Sequence, residues 1–130
     1  MEPQRKEGGR LYVPEQLSEI QDFLMCMMAA APRFAEVTSY GYHRSVDNEF
    51  RSIQLGLAAV ADKVGEERYR TVLADADEAK SLFLADPDDT NGKTAEGCDK
   101  LMAIYDILEE VRGERYHAGI LDFEGLLTGD

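Results

Sequence analysis

Two histidines, His43 and His117, and two cysteines, Cys26 and Cys98, are the side chains of this chain best suited to metal or nucleophile chemistry. Glu114-Arg115-Tyr116-His117 is an E-x-x-H string, half of what a di-iron helical protein needs. Such a site takes two strings of this kind on different helices, plus two further inward glutamates. Here the other histidine, His43, follows Tyr40 at that spacing rather than a glutamate. Four-ligand zinc wants close Cys or His pairs, and none exist. Asp86-Pro87-Asp88-Asp89-Thr90-Asn91-Gly92 resembles a calcium loop only on its face. Counted from Asp86, Asn91 and Gly97 stand where an EF-hand requires its glycine and its bidentate glutamate. No metal and no cofactor is expected.

Nucleotide and acyl-transfer signatures are missing as well. Gly92-Lys93-Thr94 carries the last letters of a phosphate loop, but Pro87 stands where that loop needs its first glycine. No dinucleotide fingerprint and no nucleophile elbow occurs. A cysteine nucleophile needs an imidazole base beside it. Cys26 and Cys98 both fall in predicted helices and read as two buried thiols of a reducing compartment rather than a disulfide.

Arg112-Gly113-Glu114-Arg115-Tyr116-His117 spells Arg-x4-His at the end of the fourth predicted helix. This string resembles the Arg-x4–6-His motif of HEPN-type helical-bundle ribonucleases and their toxin relatives. The resemblance implies a metal-independent ribonuclease in which Arg and His converge across a dimer. His117 would serve as general acid or base toward a ribose hydroxyl, and Arg112 as phosphate clamp. It covers these residues together with a similar size and all-α architecture. Gly113 departs from the family pattern, which usually has a polar residue after the arginine.

Charge points elsewhere. Twenty-six acids against 14 bases in 130 residues give a net charge of −12. Affinity for phosphates comes mainly from Lys and Arg, so a general nucleic-acid binder is disfavoured. Anionic membrane surfaces are disfavoured for the same reason. Residues 1–44 hold five bases and six acids, whereas residues 45–130 hold nine bases and 20 acids. In the fourth predicted helix Glu96, Asp99, Asp106 and Glu110 fall within about 80° of one another, opposite the apolar seam. Like charges at that spacing weaken a helix slightly, by ~0.2–0.5 kcal/mol per pair. Stability alone does not explain them.

The leading expectation is therefore a non-enzymatic, acidic helical binding protein that occupies a basic surface of a protein partner. Immunity proteins, antitoxins and enzyme inhibitors share that physical type, because their targets carry positive clefts. Tyr40, Tyr42 and His43, with Gly41 and Arg44 on one irregular segment, join the acidic stripe as candidate contacts. A third reading is a homo-oligomeric bundle. Its homodimer contact would be the apolar first helix, through Phe23, Met27, Met28 and Ala30.

Helices must carry these residues. Met1–Arg10, with Gly8-Gly9, reads as a flexible tail, leaving 11–130 as a single helical domain. A first helix opens near Pro14 with Leu17, Ile20, Leu24, Met27 or Met28, and Ala31 at helical spacing. Pro32–Arg44 reads as irregular, with room for one short helix. Ser45 caps a second helix whose seam is Val46, Phe50, Ile53, Leu57, Val60 and Val64, ended by Gly65. A third follows at once through Tyr69, Val72 or Leu73, Ala76, Ala79 and Phe83. Thr90 or Asn91 caps a fourth with Leu101, Ile104 or Tyr105, Leu108 and Val111, ended by Gly113. A short C-terminal helical turn would pack through Ile120, Leu121, Phe123 and Leu126. Together these elements predict an all-α, antiparallel four-helix bundle. The apolar run Phe23–Met28 imitates a signal peptide, but Glu2, Glu7, Glu15, Glu19 and Asp22 precede it against only three bases. A soluble, cytoplasmic protein is expected.

Overall fold

The computed structural model describes residues 11–34 and 45–130. The expected tail over 1–10 and the segment 35–44, with Tyr40, Tyr42 and His43, lie outside the described residues. Helices make up 69% of what is described, without strands, so the chain is all-α. Their order is α1 (Leu17–Ala30), α2 (Val46–Ala59), α3 (Ala61–Val64), α4 (Glu66–Leu84) and α5 (Lys93–His117).

Apolar periodicity marks the core. Leu17, Ile20, Leu24 and Met27 of α1 are fully buried, as are Phe50, Ile53 and Leu57 of α2. Val72, Ala76, Ala79 and Phe83 of α4 meet Leu101, Ile104 and Leu108 of α5 in the same cluster. Each fully buried Leu, Ile or Phe is worth roughly 1.5–3 kcal/mol against exposure. α4 lies against α5 and α2, and α1 against α5 and α2. The apolar girth of α1 resolves into an inner side and an outer one. Met27 faces the chain's own core, while Met25 and Cys26 face outward. Cys26 is thus exposed rather than buried, since it sits about 160° around the helix from Leu24. Cys98 is half-buried, and burial, then Asp99 and Asp89, push its thiol pKa up and away from reactivity.

Helix ends depart from expectation in four places. The second predicted helix is interrupted at Val60, whose N–H is shared between the carbonyls of Gly56 (3.3 Å) and Leu57 (3.2 Å). That tightens the turn and separates α2 from α3. At the start of α5 the cap residue is Gly92, with φ 84°, and not Thr90 or Asn91. Capping is shared instead by Asn91, whose side-chain oxygen accepts from Lys93 N (3.1 Å), and by buried Asp86. The Asp86 carboxylate accepts N–H groups of Thr90 (2.7 Å), Asn91 (3.2 Å) and Thr94 (2.9 Å). α5 then runs through Gly113 to His117, because the left-handed residue that can stop it is Gly119. The Gly119 N–H donates to Tyr116 O and the Ile120 N–H to Arg115 O, both at 3.0 Å, which is a Schellman ending.

The fourth departure is the C-terminal segment. No helical turn forms there, and Ile120, Leu121, Phe123 and Leu126 are exposed rather than packed. The backbone finds its partners in the Asp122 carboxylate, which accepts from Glu124 N (3.0 Å) and Leu126 N (2.9 Å). At the opposite end of the molecule Phe34 adopts φ 56°, a left-handed conformation costly for an aromatic residue. Burial offsets the cost, for its ring meets Phe83 at 5.3 Å and Phe50 at 6.1 Å, both edge-on. Among the described residues no helix is long and apolar enough to cross a membrane.

Candidate functional site

The acidic residues of α5 stand where the helical period puts them. Leu101, Ile104 and Leu108 turn into the core, so Glu96, Asp99, Asp106 and Glu110 are left exposed on the outer side. Their neutralisation is uneven. Arg68 of α4 donates to Glu110 (2.9 Å) and, by two bonds, to Glu114 (2.9 and 2.7 Å). The Arg68 hydrogen bond holds the Glu114 carboxyl below its ordinary range. Among the described residues no base pairs with Glu96, Asp99 or Asp106. The free charge is therefore concentrated toward the first two-thirds of α5.

A groove of about 420 Å³ opens beside this face, lined by Asp77, Glu78, Ser81 and Leu82 of α4 and Glu96 and Lys100 of α5. Lys100 is already engaged, 3.0 Å from Glu78 and 4.0 Å from Asp75. Asp77 accepts a hydrogen bond from Gln54 at 3.2 Å. Acids from two helices thus share one open channel with a short apolar floor. Such a channel suits a basic side chain better than a neutral one. The α4 contribution was not readable from sequence, because nothing there pairs the register of α4 with that of α5.

Arg112 and His117 are not brought together within the chain. Five residues on one helix separate them by about 140°. The Arg112 guanidinium donates to Gln21 Oε1 (2.8 Å) and Thr128 O (3.2 Å), with its Nε 3.7 Å from Asp130. Gln21 in turn donates to Glu109 (3.0 Å) and to Tyr105 O (3.4 Å). Arg112 thereby ties α1, α5 and the C-terminal segment together. His117 is exposed in the last turn of α5, edge-on to Tyr116 at 5.8 Å.

The residues considered for a homodimer also have partners in their own chain. Met27 is wholly within the core, and Phe23, Met28 and Ala30 are half-buried against it. Phe23 stacks on Tyr12 at 5.9 Å in a groove of about 320 Å³ shared with Glu19, Asp22 and Cys26. Burial, then Glu19, Asp22 and Glu15, push the Tyr12 phenol pKa up, so this side of α1 is also negative. Among the described residues no cluster of three or more His, Cys, Asp or Glu could hold a metal ion. No protein family, no curated protein and no solved structure matches this chain.

Proposed function

We propose that this chain is an acidic, non-enzymatic binding protein that occupies a basic surface of a protein partner, in the manner of an immunity protein, antitoxin or inhibitor. The observation that carries the reading is the face of Glu96, Asp99 and Asp106, unpaired among the described residues and continued across the groove by Asp77 and by Glu78, which Lys100 partly offsets. We read the scaffold as an antiparallel four-helix bundle. Lys80 against Asp47 (3.0 Å), Lys100 against Glu78 (3.0 Å) and Gln21 against Glu109 (3.0 Å) support that register. A rigid bundle presents charge at fixed spacing, which favours fast and selective encounter with an opposite surface. Capture from the source cell tests the reading, with the Asp99→Lys/Asp106→Lys chain as control. Basic proteins retained by the native chain and lost by the control are the expected result. An identical set on both would overturn it.

A further inference from the structure

The segment 118–130 holds out its apolar side chains instead of burying them. Exposure reaches 80% at Phe123 and 57% at Leu121, and Ile120, Leu126 and Leu127 are also open. Soluble chains rarely leave so many large apolar groups together without use. Looseness does not explain it, because the loop is tied at every level. A turn closes from Gly125 N to Asp122 O (3.0 Å), with Gly125 at φ 86°, and Asp122 N donates to Leu126 O (2.8 Å). The Asp122 carboxylate accepts from Leu126, Glu124 and the Thr128 hydroxyl (3.0 Å). Its base is anchored by the Gly119 ending of α5, by Arg112 on Thr128 O and by Ser18 on Asp130. Gly129 passes so close to α5 that a Cβ there would lie 2.5 Å from Arg112 O.

We propose that the 120–127 loop is a preorganised anchor that inserts Phe123, Leu121 and Leu126 into an apolar cleft flanked by Lys or Arg on a basic protein. This rests on the partner class proposed above and adds the element that fixes residence once charge has brought the surfaces together. Charge selects the occupant. A second copy of a −12 chain is repelled, and so is an anionic membrane. Asp122 is consumed by the loop itself, whereas exposed Glu124 beside Phe123 offers a carboxylate to a base on the cleft rim. A loop already held in its bound shape loses little entropy on docking, and a central aromatic is the usual energetic anchor.

The test uses a random-sequence peptide library displayed on phage as the probe, panned on the full chain and on Phe123→Ser and Leu126→Ser. Circular dichroism checks that each variant stays helical, as exposed substitutions should. The native chain should select peptides joining aliphatic or aromatic residues to Lys or Arg. Phe123→Ser should bind them on the order of tenfold or more weaker, mainly through faster dissociation. Asp99→Lys/Asp106→Lys should keep binding the short peptides, which separates failure of the loop from failure of the α5 face. Selected peptides without basic residues, or equal binding to Phe123→Ser, would overturn the proposal. So would self-association, or adsorption to phosphatidylcholine vesicles, that disappears with Phe123→Ser.

Discussion

Ser18 and Asp130 lie 112 positions apart and are joined twice, the Ser18 N–H donating to Oδ1 at 2.6 Å and its hydroxyl to Oδ2 at 2.8 Å. Ser18 is in the first turn of α1, so the far end of the sequence caps the first helix. Lys63 adds a bond to the Asp130 main-chain oxygen at 3.1 Å. Asp130→Ala should cost about 0.5–2 kcal/mol, as loss of a cap does. Ser18→Ala should cost less and add little to it. Urea denaturation of both singles and the double checks this, and strictly additive losses would argue against the clasp.

Two glycines of α5 should respond in opposite directions to alanine. At Gly97 an added Cβ would lie 2.7 Å from the buried Phe83 ring, whereas at Gly113 nothing stands within 4 Å. Gly113→Ala should stabilise by roughly 0.5–1 kcal/mol from helix propensity. Gly97→Ala gains the same propensity but must displace a core ring, for a net loss of roughly 1–3 kcal/mol. Thermal unfolding of the pair decides the sign.

Acid should weaken the fold through carboxylates that the native state holds charged. Burial pushes Asp86 up, but the N–H groups of Thr94, Thr90 and Asn91 together outweigh it and leave it below its usual range. Asp122 is lowered chiefly by Leu126 N–H, and Glu114 by Arg68. A depressed carboxylate contributes stability that is complete above its unfolded value near pH ~4 and is lost as pH falls toward the folded value. Asp86→Asn should therefore be less stable at neutral pH, with the gap narrowing below about pH 4. Parallel stability curves down to low pH would contradict the role given to Asp86.

The Arg-x4-His string should do no hydrolysis. Arg112 is engaged by Gln21 and Thr128 within its own chain and is not free to clamp a phosphate. RNA incubated with the native chain without metal should stay intact, and His117→Ala should change nothing. Cleavage that His117→Ala abolishes would restore the ribonuclease reading.

The seams were legible because burial at steps of three and four leaves a period that composition cannot hide. Leu17, Ile20, Leu24, Phe50, Ile53, Leu57, Leu101, Ile104 and Leu108 all lie where that period puts them. Helix ends were less legible, because distant groups decide them. Asp86 caps α5 from a preceding loop, and Gly113 is tolerated since the helix gains more by continuing to Gly119. Apolar residues of the C-terminal segment look alike in sequence whether packed or presented, and only the Asp122 bonds distinguish the two. Total charge misled in one respect as well. Residues 1–44 are nearly neutral in sum, yet α1 and its approach hold Glu15, Glu19 and Asp22 without a base among them.

The central claim concerns the acidic face of α5, and stopped-flow association across a salt series tests it most directly. The native chain and Asp99→Lys/Asp106→Lys would be mixed with the captured basic partner. Both sites are exposed, so each change should alter stability by only about ±0.5 kcal/mol. Steering by such a patch raises association by ~10–10³-fold and fades as ionic strength rises. The expected result is slower association for the double reversal, a flatter salt dependence and an intact fold. Identical rates and identical salt slopes would contradict the account, leaving Glu96, Asp99 and Asp106 as charges that only keep the chain in solution.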